Sequence, residues 1–128
     1  MSSIFYTDEG EGLPIIFIHG FCETHELWSD FIYPFTKTNR VITLDLPGFG
    51  QSPLPSGETT IDSIGLIMIK WLMNIGVSKA IFVGHSLGGY VALSIANQNP
   101  GIIGGLCLFH STAGGGQCRE TREQGQGQ

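Results

Sequence analysis

The sequence predicts an α/β fold in which a mostly parallel sheet is flanked by helices. Short apolar runs recur at residues 14–18, 41–44 and 80–83, and such runs are typical of strands that are buried on both faces. Segments with apolar residues at helical spacing alternate with these runs. This alternation is typical of βαβ units, which build a parallel sheet.

The first third of the chain predicts two strands and a helix. Ile4–Tyr6 is a candidate short strand, and the acidic, glycine-containing segment Asp8–Gly12 predicts a turn. Pro14–Ile18 is the first buried strand. Apolar residues of Glu26–Phe35 fall on one helical stripe, and Pro34 predicts that this helix ends or kinks there.

The remainder predicts two more strand–helix units and a last strand. Turn-forming residues separate these elements. In order, they are a strand at Val41–Leu44, a helix capped by Thr59 or Thr60 and ended by Gly76, a strand at Ala80–Val83, a helix from Leu87 to about Asn99, and a strand at Ile102–Phe109.

A change in composition marks the end of the predicted domain. The chain has 128 residues, enough for one domain. Residues 1–113 hold every predicted element. Residues 114–128 are rich in Gly and Gln and contain no large apolar residue, so we expect this tail to be disordered.

Charge and cysteine content exclude several classes of function. The net charge of −5, without basic clusters, gives no footprint for nucleic acid or an anionic membrane. Cys22, Cys107 and Cys118 form no C-x-x-C pair, which argues against a zinc site and suits the reducing cytoplasm. The N-terminus lacks signal-peptide features, and the longest apolar stretch, residues 64–73, is too short to span a bilayer. We expect no metal and no cofactor.

The motif Gly84-His85-Ser86-Leu87-Gly88 follows a predicted strand and opens a predicted helix. This context is the one in which a G-x-S-x-G motif holds a nucleophilic serine on a sharp, strained turn. Side chains at either glycine would collide across such a turn. The N–H of Leu87, at the helix N-terminus, is placed to stabilise an oxyanion.

A second oxyanion donor should come from a loop that follows another strand. His19-Gly20-Phe21 follows the first buried strand directly, and the Phe21 N–H is the candidate donor. We interpret His19 as orienting this loop, and His85 as a packing or hydrogen-bonding residue of the turn. Asp45 is interpreted as an anchor of the loop after its strand, and His25 as solvated. For Ser86 the alternative is an ordinary helix N-cap.

Three motifs in this order resemble the α/β-hydrolase superfamily, in its serine esterase-like branch. They are H-G-F at 19–21, D-L-P-G-F-G-Q-S at 45–52 and G-H-S-L-G-G at 84–89. The resemblance runs from about residue 4 to Ala113 and implies a nucleophile elbow at Ser86. A serine here disfavours the related dehalogenases and epoxide hydrolases, which use aspartate.

The resemblance also implies an acid and a histidine after Ser86, and neither is found at a matching position. The histidine that follows Ser86 is His110 and the acids are Glu120 and Glu123 in the tail; none matches the family's positions, and we favour a pocket or structural role for His110. The resemblance therefore implies a domain truncated after the sixth strand of the family's sheet. We expect this from the abrupt loss of apolar periodicity near Ala113, where a shifted reading frame would produce it.

Two functions remain open at this point. The first is a serine hydrolase of small-molecule esters or similar acyl substrates, acting through an acyl-serine intermediate and weak or inactive as a truncated chain. The alternative is a non-catalytic hydrolase-like fragment that is inert or binds a small molecule or protein partner. An unpaired sheet edge at Leu106–Phe109 would favour self-association.

Overall fold

The structure, a computed structural model, describes residues 4–21, 23–57 and 59–109. The predicted tail, 114–128, and the neighbouring His110 lie outside these residues. Strands and helices alternate over residues 40–109 as the sequence predicts, whereas residues 6–37 hold two strands and short 3₁₀ turns. The elements are β1 (Tyr6–Glu9), β2 (Pro14–Ile18), β3 (Arg40–Leu44), α1 (Ile61–Asn74), β4 (Ala80–His85), α2 (Leu87–Gln98) and β5 (Ile103–Phe109), with short 3₁₀ turns at His25–Trp28, Tyr33–Lys37 and Pro100–Ile102.

The strands of the described residues form one sheet of five strands, in the order β1-β3-β2-β4-β5. The β1 strand pairs antiparallel with β3, and the other neighbours are parallel. This mostly parallel sheet with helices confirms the predicted α/β class. After β2 the chain turns to β3 on one side, whereas after β4 it turns to β5 on the other. The carboxyl ends of β2 and β4 therefore flank a crevice, where open α/β sheets place their ligands.

The first strand lies further along the chain than the sequence predicts. It covers Tyr6–Glu9, and its last residues fall within the segment that we predict as a turn. Pairing with β3 places Asp8 opposite Ile42, and the Arg40 guanidinium donates to the Asp8 carboxylate at 2.8 and 3.0 Å. Tertiary pairing has overridden the local turn preference, because acidic residues are tolerated on an edge strand.

The helix predicted over Glu26–Phe35 is replaced by two 3₁₀ turns, at His25–Trp28 and Tyr33–Lys37. Pro34 explains the break, because its ring and missing N–H do not fit a helix interior. The apolar stripe still faces the sheet. The rings of Trp28 and Phe31 lie 5.1 and 6.0 Å from that of Phe17 on β2.

Both faces of the sheet carry apolar residues. The face covered by α1 and α2 holds the larger cluster, which includes Ile16, Ile42, Phe82, Met68 and Ile95. The 3₁₀ turns at His25–Trp28 and Tyr33–Lys37 cover the opposite face with a smaller cluster. Helix α1 begins with a reciprocal capping box between Thr60 and Ser63. No helix in the described ranges is long and apolar enough to cross a membrane.

Candidate active site

Ser86 lies between β4 and α2 in a strained backbone conformation. Its φ of 57° and ψ of −115° make it the one non-glycine residue with positive φ among those described. Strain of this kind costs about 1–3 kcal/mol and persists only where the surrounding fold enforces it. The turn is held on both sides, because the Ser86 N–H donates to the Phe109 carbonyl at 3.0 Å and the Gly89 N–H donates to the Ser86 carbonyl at 2.9 Å.

The two motif glycines are required by close backbone contacts. A Cβ at Gly84 would lie 2.5 Å from the Gly88 carbonyl oxygen, across the turn. A Cβ at Gly88 would collide with the Ile18 carbonyl oxygen and lie 2.6 Å from that of His19. The start of α2 therefore lies directly against the end of β2, which allows no side chain at Gly88, and the tightness of the turn itself allows none at Gly84.

The loop after β2 contacts the turn that carries Ser86. Ile18 pairs with Gly84, so the next residues of both strands leave the sheet side by side. A Cβ at Gly20 would lie 2.9 Å from both the His85 carbonyl oxygen and the Ser86 Cβ. The structure thus brings together the two segments that the sequence analysis selects for the nucleophile and the oxyanion donors.

His19 holds the peptide group between Gly20 and Phe21. The His19 side chain is fully buried; its Nδ1 lies 2.8 Å from the Gly20 carbonyl oxygen, and its Nε2 accepts from the Leu46 N–H at 2.9 Å. Since Nε2 accepts, the proton must reside on Nδ1, which donates to Gly20. Burial lowers the pKa of His19, although its bond to the Gly20 carbonyl acts in the opposite direction, and the neutral ring is the form that both bonds require.

The two proposed oxyanion donors, the N–H groups of Phe21 and Leu87, lie on different elements: the first on the loop after β2 and the second at the start of α2. No peptide bond among the described residues is cis, so the Phe21 N–H points opposite to the Gly20 carbonyl that His19 holds. The Phe21 ring is exposed and packs edge-on against Phe49 at 5.7 Å. Leu87 is the first residue of α2, and the first N–H groups of a helix have no partner within the helix. Its side chain packs against the larger core.

His85 forms a contact that the sequence analysis does not identify. Its Nδ1 lies 3.0 Å from Glu23 Oε1, and the same carboxylate oxygen accepts from the Gly20 N–H at 2.7 Å. A signal for Glu23 was present in the sequence, because a side chain three residues after a glycine can reach back to its N–H, as in a capping box.

His25 is paired with Asp45, and our expectation that His25 is solvated was wrong. Asp45 is fully buried, and its Oδ1 accepts from the His25 N–H at 2.7 Å and lies 2.8 Å from His25 Nδ1. Its Oδ2 accepts from the Gln51 N–H at 2.8 Å. Burial alone would raise the pKa of Asp45, but the hydrogen bonds from Gln51 and His25 outweigh it and hold the pKa below the usual value. Asp45 thus anchors two loops.

The histidine and the two glutamates that follow Ser86 in the sequence lie outside the described residues. They are His110, Glu120 and Glu123. Within the ranges that the structure describes, no group of three or more His, Cys, Asp or Glu side chains could hold a metal ion. The described part of the site therefore consists of a strained serine, a helix N-terminus and an adjacent loop held by His19 and Glu23.

The strained backbone at Ser86 predicts that a glycine at this position is more stable than an alanine. Glycine adopts positive φ without steric cost, whereas alanine does not. We expect Ser86→Gly to have a free energy of unfolding about 1 kcal/mol above that of Ser86→Ala, measured by urea denaturation. Both variants lack the hydroxyl, so the comparison isolates the backbone. A Gly variant that is less stable than the Ala variant would show that this backbone is unstrained.

The amino-acid sequence is similar to one family of known proteins. The family model described as the alpha/beta hydrolase fold matches residues 14–119. The pimeloyl-[acyl-carrier protein] methyl ester esterase of Methylococcus capsulatus is 31% identical over 109 residues, which cover 85% of this chain and 41% of that protein. The (E)-2-((N-methylformamido)methylene)succinate hydrolase of Acinetobacter baylyi is 29% identical over 105 residues, covering 82% of this chain and 40% of that protein.

Solved structures agree with the sequence relatives. A thermophilic esterase from Thermogutta terrifontis superimposes with a TM-score of 0.85 at 29% identity, over 91% of this chain and 43% of that one. This chain spans 38% and 40% of two of the curated relatives that it matches, and as little as 20% of another. The part of the chain that the family model matches contains β2 to β5 and the turn at Ser86.

Proposed function

This chain belongs to the α/β-hydrolase fold family, and on that premise we propose that Ser86 is the nucleophile of a serine hydrolase site. Esters or similar acyl compounds are the proposed substrate class, in keeping with the names of the esterases and hydrolases that the chain is similar to. The observation that carries the proposal is the strained backbone of Ser86, at the carboxyl end of β4 and against the Gly20 loop. Strain of this kind concentrates at functional sites.

The proposed reaction is acyl transfer. The Ser86 Oγ attacks the substrate carbonyl carbon, the carbonyl electrons move to oxygen, and the Phe21 and Leu87 N–H groups donate to that oxyanion. Collapse of the intermediate breaks the bond to the leaving oxygen, which takes up, through solvent water, the proton that the Ser86 hydroxyl has released, so that an alcohol departs and an acyl-Ser86 ester remains. Water then hydrolyses this ester to the free acid and restores the Ser86 hydroxyl. The N-terminus of α2 adds the positive end of its dipole. Each donor of this type is worth about 3 kcal/mol of transition-state stabilisation.

The proposed activity of this chain is weak. A resting serine hydroxyl needs a base to take its proton, usually a histidine that a carboxylate orients. The sequence provides no acid or base at the family's positions after Ser86. The cysteine pattern supports a reducing, cytoplasmic location as a further part of the proposal.

A fluorophosphonate probe tests the nucleophile. We expect slow, stoichiometric labelling of the folded protein at Ser86, identified by peptide mass spectrometry, because Ser86 lies between the N-terminus of α2 and the Gly20 loop, the two segments that carry the proposed oxyanion donors. Ser86→Ala should show no labelling. The parent protein in concentrated urea should also stay unlabelled, since the reactivity depends on the folded turn. Folded protein that stays unlabelled would rule out a working nucleophile in this chain.

The second candidate function is non-catalytic association through β5. This strand ends the sheet of the described residues, and Leu106, Leu108 and Phe109 are 37–40% exposed. Exposed apolar edge strands are templates for pairing with another chain. A folded, unlabelled protein that elutes as a dimer in size-exclusion chromatography would favour this alternative.

A further inference from the structure

Glu23 ties together the two segments of the proposed site. A single carboxylate oxygen, Oε1, accepts from the Gly20 N–H on the loop after β2 and contacts His85 Nδ1 at the end of β4. An ionised carboxylate has only acceptor sites, so the His85 Nδ1 must donate the proton of that contact. The side chain of Glu23 is 28% exposed and the side chain of His85 is 22% exposed. Both are therefore partly buried at the edge of the site and lie outside the hydrophobic core.

The backbone of Glu23 also binds Gly20, at the Gly20 carbonyl group. The Glu23 backbone N–H donates to the Gly20 carbonyl oxygen at 3.2 Å, and the same oxygen accepts from His19 Nδ1 at 2.8 Å. Both peptide groups that flank Gly20 are therefore held, one by the Glu23 carboxylate and the other by the Glu23 N–H and His19. The Gly20 N–H is occupied by Glu23, which excludes it as an oxyanion donor.

We propose that Glu23 is a positioning residue that fixes the Gly20 loop against the Ser86 turn and thereby aims the Phe21 N–H. This inference rests on the proposed function of Ser86. Gly20 has no side chain to restrict its backbone. Without the Glu23 carboxylate, the Gly20 N–H loses its acceptor and the loop loses its link to His85. A displacement of about 1 Å in an oxyanion donor is enough to cost a large factor in rate.

Three variants separate positioning from a general structural role. Glu23→Ala removes the acceptor, whereas Glu23→Gln keeps a carbonyl oxygen that can accept from both Gly20 and His85. Glu26→Ala is the matched control, because Glu26 is an exposed glutamate of the following 3₁₀ turn. We expect the fluorophosphonate labelling rate to fall about 10-fold or more in Glu23→Ala, and to stay within about 3-fold of the parent in Glu23→Gln and Glu26→Ala.

A second measurement does not depend on the reactivity of Ser86. In protein labelled with ¹⁵N-glycine, the Gly20 amide resonance and its exchange with solvent report the hydrogen bond to Glu23. Glu23→Ala should increase the exchange rate about 10-fold and shift the resonance upfield, whereas Glu23→Gln and Glu26→Ala should leave the exchange rate unchanged.

The two measurements distinguish the failure of this inference from that of the proposed function. A parent protein that is not labelled would overturn the proposed function, and the Gly20 amide would still decide whether Glu23 fixes the loop. A parent that is labelled, with Glu23→Ala labelled equally fast, would overturn the positioning role alone. The same conclusion would follow if Glu23→Gln lost as much labelling as Glu23→Ala.

Discussion

Gly88→Ala is expected to destabilise the protein by about 3 kcal/mol or more, enough to prevent folding if the parent is marginally stable. The added Cβ would collide with the Ile18 carbonyl oxygen and lie 2.6 Å from the His19 carbonyl oxygen. Both obstacles are backbone atoms, so no side-chain rotation relieves the contact. Helix α2 would have to move away from β2, and the turn at Ser86 would move with it.

Gly101→Ala is the matched control for this prediction. Its Cβ would meet the Asn99 side-chain oxygen at 3.7 Å, an ordinary van der Waals contact. We expect a free energy of unfolding within about 0.5 kcal/mol of the parent, or slightly higher, because alanine restricts the unfolded chain. Urea denaturation followed by circular dichroism measures both variants. Equal stability of the two variants would show that the contact between α2 and β2 tolerates a methyl group.

Asp45→Ala is expected to have the second large effect, a loss of about 3 kcal/mol. Asp45 is fully buried, and its carboxylate accepts from the backbone N–H groups of His25 and Gln51 as well as from the His25 ring. Removal of the carboxylate leaves these N–H donors without an acceptor. Each donor that water cannot reach then lowers the free energy of unfolding by about 1–3 kcal/mol. Asp8→Ala is the control, since the ion pair of Asp8 with Arg40 is partly exposed and should contribute about 0.5 kcal/mol.

The pKa of Asp45 gives this prediction a pH dependence. Burial opposes ionisation, but the hydrogen bonds prevail and the folded-state pKa lies below the usual value for an aspartate. The unfolded state therefore binds the proton first as the pH falls, so the stabilisation is complete above the unfolded pKa and is lost as the pH falls through the folded pKa. Between pH 5 and 3, the free energy of unfolding of Asp45→Asn should fall less steeply than that of the parent. Parallel slopes would contradict the assignment.

The sequence predicts best those features that depend on local pattern. The apolar runs locate β2, β3 and β4 because buried parallel strands leave a continuous signal. The motif around Ser86 is recognisable because its glycines are required by contacts within one turn and with the adjacent strand. The family follows from the order of three such motifs, and the comparisons confirm it.

Features that depend on distant partners could not be predicted in the same way. The position of β1 is set by its pairing with β3 rather than by its own residues. The link between Glu23 and His85 joins positions that only the parallel pairing of β2 and β4 brings together. The same holds for His25, whose partner Asp45 follows a different strand.

The pairing of Ile15 on β2 with Ile81 on β4 has a consequence for folding kinetics. The Ser86 turn and the Gly20 loop meet only when this long-range pair has formed, and β3 and α1 lie between the two strands along the chain. Closing so long a segment is entropically costly and tends to occur late. Assembly of the site should therefore coincide with the cooperative folding transition, and the onset of probe reactivity during refolding would report the completed sheet.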